Sequence, residues 1–162
     1  MNHPMFGGGV DVWIYHEVAG LRPPAAAAGT VRFGVEPVVM RRVGAAAAAT
    51  KLAGNDVASA WRYSHANQAL VYNCTVPVGF TGHVEFHIVL HVGEAGEDAK
   101  HPKLASVREG SALLWSSAAA SKDGRREVAA AAGVGEAIVV GYNEVVRLPV
   151  GAGVYSFTAD WL

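Results

Sequence analysis

The stretch HVEFHIVLH, residues 83–91, decides the fold class of this chain of 162 residues. Apolar and polar side chains alternate along it, whereas a helix would repeat its apolar residues every three or four positions. The apolar side chains that fall on one face of the predicted strand are Val84, Phe86, Ile88 and Leu90. The alternation therefore predicts a strand that packs one face on a core and turns the other toward solvent.

The same alternation recurs through most of the chain and predicts a mainly β protein. Ten short strands are expected, over residues 30–36, 38–43, 57–63, 69–76, 83–92, 104–109, 112–116, 137–142, 144–148 and 154–161. PVG at 77–79 and PVGAG at 149–153 supply the proline and glycine of tight turns. Because no strand–helix alternation appears, we predict an antiparallel β-sandwich of about eight to ten strands with one N-terminal α-helix.

That helix is predicted over residues 10–20. Gly20 suits a left-handed cap, and the prolines at 23–24 prevent continuation. Its apolar stripe consists of Val10, Trp13, Ile14 and Val18, at spacings of three and four. The alanine runs at 25–28, 45–49 and 129–132 lie beside glycine and are predicted to be loops, and the polar segments 93–103 and 117–126 are predicted to be surface excursions.

The strand patterns also predict which side chains form the core. They are Trp61, Leu70, Tyr72, Cys74, Val84, Phe86, Ile88, Leu90, Tyr155 and Phe157. Cys74 is the only cysteine, so no disulfide forms within the chain, and a reducing, cytoplasmic location is favoured.

Composition narrows the classes of partner. Thirteen basic residues against fourteen acidic ones give a net charge of -1 with no basic run, which argues against a nucleic-acid partner. The longest apolar stretch, residues 128–140, is interrupted by Glu136 and falls short of the roughly 20 apolar residues that span a bilayer. We therefore expect a soluble domain with no membrane partner.

The polar face of the 83–91 stretch carries the side chains best suited to bind a metal ion or to take part in catalysis. Its members are His83, Glu85, His87 and His91. Residues two apart on a strand lie about 6–7 Å apart, which permits a zinc site, but a polar sheet face is usually just solvated. The acidic residues are scattered singly, so no pair of catalytic carboxylates is evident. The sequence has no G-x-S-x-G motif of a nucleophilic serine, and the GGG at 7–9 does not follow a strand as a phosphate-binding loop would. We therefore predict no metal, no cofactor and no catalytic pair from the residues alone.

A series of short motifs adds a family resemblance. The motifs are NHPMFG at 2–7, WIY at 13–15, AGLRP at 19–23, FGVEP at 33–37, ASAW at 58–61, TVPVG at 75–79, VREG at 107–110 and VGAGVYSF at 150–157. In this order they resemble the bacterial-type α-L-rhamnosidases, a family of glycoside hydrolases. The first three look like the segment that closes the family's (α/α)6 catalytic barrel, and the others look like strands of its C-terminal β-sandwich domain. Met1 stands where the family has a serine.

The resemblance implies a division of the chain and an expected activity. Residues 1–24 would be a remnant of the last barrel helix, and residues 25–162 the C-terminal β-sandwich. The family cleaves terminal L-rhamnose with inversion, using a carboxylic acid and a carboxylate that lie upstream of the Asn-His motif. No catalytic residue is therefore assigned here, and this chain alone is expected to be inactive. Only His3, with Asn2 beside it, maps onto positions expected to touch the sugar.

Two alternatives remain open beside an inactive accessory domain. The chain is either a part of an active rhamnosidase whose barrel is missing from it, or a carbohydrate- or protein-binding module that uses exposed aromatics such as Trp115 or Tyr142. The candidate ligand is a carbohydrate, a rhamnoside. A homodimer through the N-terminal helix is also expected, because the helix's apolar stripe lacks its barrel partners.

Overall fold

The computed structural model describes residues 10–22, 29–90, 101–117, 131–140 and 144–162, which form two β-sheets. A helical stretch over residues 10–13 continues into a π-helix over Ile14–Val18, and the two together are called the N-terminal helix. The other elements are β1 (Leu21–Arg22), β2 (Thr30–Phe33), α1 (Pro37–Val43), β3 (Ala45–Leu52), β4 (Asn55–Ser64), β5 (Ala69–Val76), β6 (Thr81–His87), β7 (Leu104–Glu109), β8 (Ala112–Ser116), β9 (Ile138–Val140), β10 (Val145–Val150) and β11 (Gly153–Trp161).

Strand order defines a sandwich. One sheet has five strands in the order β1-β2-β6-β10-β9, and the other has six in the order β3-β4-β5-β11-β7-β8. Neighbouring strands are antiparallel except β2 and β6, which are parallel. The predicted mainly β, antiparallel-dominated fold is confirmed.

The inner faces of the two sheets meet in one apolar core. Phe86 of the five-stranded sheet packs edge-on against Tyr72 and Phe157 of the six-stranded sheet, with ring centroids 6.4 and 6.0 Å apart. Nine of the ten predicted core residues are buried, and the tenth, Ile88, is partly buried against the same cluster. The alternation thus correctly identified the inner face of each strand.

The N-terminal helix ends two residues earlier than predicted, in a π turn in which the Ala19 N–H donates to the Ile14 carbonyl at 2.8 Å. Gly20 then adopts the predicted left-handed conformation, with φ +70°. A Cβ at Gly20 would lie 2.6 Å from the Gly34 carbonyl oxygen and 2.9 Å from the Tyr72 hydroxyl. Glycine is therefore required at position 20 both by the backbone angle and by space.

The strand predicted over residues 38–43 is wrong, because this segment forms helix α1. Pro37 occupies the first turn, where its fixed φ favours a helix, and Gly44 ends the helix with φ +80°. Met40 lies one turn after Pro37 and is buried. An apolar run of this length is compatible with a strand or a helix, and the proline and glycine at its ends favour the helix.

The loop predicted for the alanine run at 45–49 is also wrong, because the run lies in β3. Eight successive residue pairs align β3 with β4, from Ala45 opposite Arg62 to Leu52 opposite Asn55. The alanines at 46 and 48 pack against the core. Pairing with β4 therefore overrides the weak strand propensity of alanine.

The remaining predicted strands are present, and 69–76, 104–109 and 112–116 match residue for residue, but β2 ends at Phe33 rather than at residue 36 and β6 covers Thr81–His87 rather than 83–92. The alanine run at 25–28, residues 129–130 and most of the polar segments 93–103 and 117–126 lie outside the described residues. Across the ranges that the structure describes, no helix has the length and apolar content needed to cross a membrane.

Candidate functional site

The end of the N-terminal helix is attached to the six-stranded sheet by buried hydrogen bonds. The indole N–H of Trp61 donates to the Val18 carbonyl at 2.8 Å, and the hydroxyl of Ser59 donates to the Ala19 carbonyl at 2.6 Å. The Tyr72 hydroxyl donates to the Gly20 carbonyl at 2.9 Å. Each donor satisfies a carbonyl at the helix end, so β4 and β5 fix the position of the helix.

The first turns of the helix are largely exposed although most of their side chains are apolar. The exposed fractions are 56% for Val10, 54% for Val12 and Trp13, 44% for Ile14 and 38% for Tyr15. Three of the four residues in the predicted stripe belong to this group, and Val18 is partly buried. Exposed apolar side chains grouped in this way are a candidate interaction surface. We call these five residues the apolar helix face.

A row of charged residues leads from the helix to the outer face of the five-stranded sheet. The Arg22 guanidinium lies 2.6 Å from a Glu17 carboxylate oxygen and 3.9 Å from one of Glu36. The other oxygen of Glu36 is 3.6 Å from Nε2 of His87. These groups are partly exposed, so each pair contributes little stability by itself.

Glu85 is the centre of a tighter cluster on the same sheet face. Its Oε1 accepts hydrogen bonds from Arg147 Nε and Nη2 at 3.0 and 2.7 Å, and its Oε2 lies 3.4 Å from Arg32 Nη2. Nε2 of His83 is 3.5 Å from Oε1. Burial by itself raises the pKa of Glu85, but His83, Arg147 and Arg32 outweigh it and lower the pKa to about 2. Glu85 is therefore ionised at neutral pH and is held by two arginines.

This arrangement bears on the candidate metal ligands. His83, Glu85 and His87 lie on one face as the sequence predicts, but Glu85 faces guanidinium groups and His87 faces Glu36. In the described part of the chain, no group of three or more His, Cys, Asp or Glu side chains is arranged to hold a metal ion. His91 lies outside the described residues.

The remaining candidates divide into buried and undescribed residues. Burial raises the pKa of the Cys74 thiol to about 12, so this thiol is not a reactive nucleophile at neutral pH. Trp115 was expected as an exposed aromatic for ligand binding, and this is wrong because it is only 4% exposed and packs in the core. Tyr142 and the sugar-contacting pair expected from the resemblance, Asn2 and His3, lie outside the described residues.

Sequence reasoning missed the polar residues that hold the site together, namely Ser59, the Tyr72 hydroxyl and Arg147. Ser59 occupies a core-facing position between Val57 and Trp61, and a hydroxyl on a core face is a signal for a buried hydrogen bond. No comparable signal exists for Arg147. Its contact with Glu85 depends on the pairing of β10 with β6, which local patterns do not specify.

Comparison with known proteins rests on structure alone. No family model matches the sequence, and no curated protein matches it. The α-L-rhamnosidase from Dictyoglumus thermophilum is similar over 98% of this chain, with a TM-score of 0.63 and 20% identity, in a region that makes up 14% of that enzyme. The Streptomyces avermitilis α-L-rhamnosidase, solved in complex with L-rhamnose, is similar over 93% of this chain, with a TM-score of 0.53 and 18% identity, in 11% of its length. The chain thus spans a small part of the enzymes it resembles, and its fold is that of a domain of α-L-rhamnosidases.

Proposed function

We propose that this chain is the C-terminal accessory β-sandwich of an α-L-rhamnosidase-like protein and that, by itself, it does not release rhamnose. The observation that carries the proposal is the structural match, which takes in 98% of this chain but 14% of the Dictyoglumus thermophilum enzyme. A region of that size is large enough for one accessory domain. The catalytic groups of such an enzyme would then lie in the remaining, larger part of it.

The chemistry of the described acids supports the same conclusion. Hydrolysis with inversion needs one carboxylic acid that keeps its proton at working pH and one ionised carboxylate across the sugar. Glu85, the acid at the centre of the charged cluster, has a pKa of about 2 and cannot serve as the protonated member.

The apolar helix face supplies the docking function of an accessory domain. The C-terminal end of the helix is fixed to the sandwich through Val18, Ala19 and Gly20, so the exposed side chains of its first turns are presented at a defined place. Burying several aliphatic and aromatic side chains is worth roughly 1.5–3 kcal/mol each. We propose that a catalytic barrel covers this face in the complete protein.

The activity test is direct. Purified protein is incubated with an aryl α-L-rhamnoside, and L-rhamnose is titrated into it by calorimetry in parallel. We expect no release of the aryl group and no heat of binding. Hydrolysis that persists through repurification and scales with protein concentration would overturn the proposal, and a heat of rhamnose binding without hydrolysis would favour the binding-module alternative.

A further inference from the structure

Strand β3 forms one edge of the six-stranded sheet, and within the described residues its only ladder neighbour is β4. The pairing runs without a bulge through eight residue pairs. An edge strand of this length and regularity presents a row of backbone N–H and C=O groups that form no ladder on its outer side.

The hydrogen-bond alternation identifies the outward groups. The Tyr63 N–H donates to the Gly44 carbonyl at 2.7 Å, so the even-numbered residues of 44–52 direct their backbone groups toward β4. The odd-numbered residues of 45–51 therefore direct theirs away from the sheet. The Tyr15 hydroxyl agrees with this alternation, since it reaches the Ala49 carbonyl from outside, at 3.4 Å.

Apart from the contact of Tyr15 with Ala49, this edge has little protection against pairing. Natural edge strands are protected by charges, prolines, bulges or a covering helix or loop, and here the N-terminal helix reaches the edge through the long hydrogen bond from the Tyr15 hydroxyl to the Ala49 carbonyl, at 3.4 Å. Residues 45–49 are all alanine, and the first charged side chain of the strand is Lys51, which is held by Asp56 at 2.8 Å. Alanine side chains are also too small to keep a second strand away.

We propose that β3 pairs antiparallel with β3 of a second copy of this chain, with the two-fold axis at Ala47. The outward row alternates partial positive N–H and partial negative C=O groups, so it is complementary to itself when the strands run in opposite directions. A two-fold axis satisfies both copies with the same contact. Centring on Ala47 places Ala45 opposite Ala49 of the partner subunit and leaves Lys51 beyond the alanine segment. The Ala49 carbonyl then accepts a backbone N–H, which displaces or shares the long, exposed hydrogen bond from Tyr15.

This assembly differs from pairing through the apolar helix face, of which Tyr15 is the member that contacts β3. In the helix-mediated dimer, Trp13 lies in the contact and β3 remains unpaired. In the strand-mediated dimer, the backbone of Ala47 lies at the centre and Trp13 remains outside the ladder. The two arrangements are therefore separable by single substitutions.

Disulfide trapping tests the register. Ala47→Cys places two thiols on the axis, where the Cα atoms of a hydrogen-bonded pair are about 5.5 Å apart, within the range of a disulfide. Ala49→Cys is the matched control, because the two copies of residue 49 would be roughly 14 Å apart. Cys74 is buried and gives no background. We expect a covalent dimer under mild oxidation for Ala47→Cys and none for Ala49→Cys, and equal cross-linking of both would overturn the register.

Light scattering at micromolar concentration tests the pairing itself. Ala47→Pro removes the outward N–H at an edge position that tolerates proline, whereas Ala47→Val keeps the N–H. We expect dimers for the parent and Ala47→Val, and at least tenfold weaker association for Ala47→Pro, with circular dichroism confirming that it is folded. A monomeric parent protein, or a dimer that survives Ala47→Pro and is lost in Trp13→Glu, would overturn the proposal. If Ala47→Pro does not fold, the comparison of cross-linking in Ala47→Cys and Ala49→Cys tests the proposal.

Discussion

Glu85 connects three strands of the five-stranded sheet through its charge. Its carboxylate lies on β6 and contacts Arg32 of β2 and Arg147 of β10. Only 13% of its side chain is exposed, so the arginines replace most of the water that would solvate the charge. Removing the charge would leave the Arg147 guanidinium without its partner on a half-covered sheet face.

Glu85→Gln should therefore lower the free energy of unfolding by about 1–2 kcal/mol near pH 7. The folded pKa of about 2 lies below the ordinary value of 4.5, so the ionised group stabilises the fold above pH 4.5, and this contribution disappears as the pH falls toward 2. Urea unfolding of both proteins at several pH values measures the difference. It should shrink between pH 4.5 and 2, and a difference that is constant over that window would contradict the assignment.

The two ends of the N-terminal helix have different energetic roles. Trp61 of β4 fixes its end through the Val18 carbonyl and is 3% exposed, whereas Trp13 on the helix itself is 54% exposed. The helix lies against β1 and α1. Its attachment is therefore concentrated at its C-terminal end, and the exposed side chains at its start contribute little to the stability of the isolated chain.

Two tryptophan substitutions separate these roles. Trp61→Phe removes a buried hydrogen bond and leaves a void, and we expect a loss of about 2–3 kcal/mol in the free energy of unfolding. Trp13→Glu should change it by no more than about 0.5 kcal/mol, because the side chain is largely in solvent. Thermal and urea unfolding measure both. A large loss for Trp13→Glu would show that the apolar helix face is already covered in the isolated protein.

At the scale of the whole molecule, the described strands of both sheets share one core. Phe157 of β11 is fully buried, and its ring lies between Phe86 across the core and Tyr155 on the same strand, with centroids 6.0 and 5.9 Å apart. The Trp161 indole N–H also donates to the His87 carbonyl at 3.0 Å, which links β11 to the end of β6. The two sheets should therefore unfold together.

Phe157→Ala tests this cooperativity. Removing the ring opens a cavity in the middle of the core, and we expect a loss of about 3–5 kcal/mol. The unfolding transitions followed by far-ultraviolet circular dichroism and by tryptophan fluorescence should coincide in the parent and in the variant. Separate transitions would show that the sheets unfold as independent units. Val154→Ala, at an exposed position of the same strand, serves as the control.

The sequence by itself determined the class of fold, the faces of most strands and the glycine that ends the N-terminal helix. Alternation is a local property, so the strand containing Phe86 and the burial of Cys74 followed from neighbouring residues alone. The motif resemblance added the rhamnosidase fold, which the structural comparison supports. The cytoplasmic location and the division after residue 24 stay predictions, although β1 (Leu21–Arg22) pairs within the five-stranded sheet.

Tertiary structure alone decided the features that depend on distant partners. The alanines of β3 form a strand because their backbone groups pair with those of β4. Helix α1 forms in an apolar run whose sequence is compatible with either a helix or a strand. Arg147 reached Glu85 across 62 positions of sequence. Local patterns determine which face of a strand a side chain occupies. The residues that it contacts depend on strand order, and strand order is set by the packing of the whole chain.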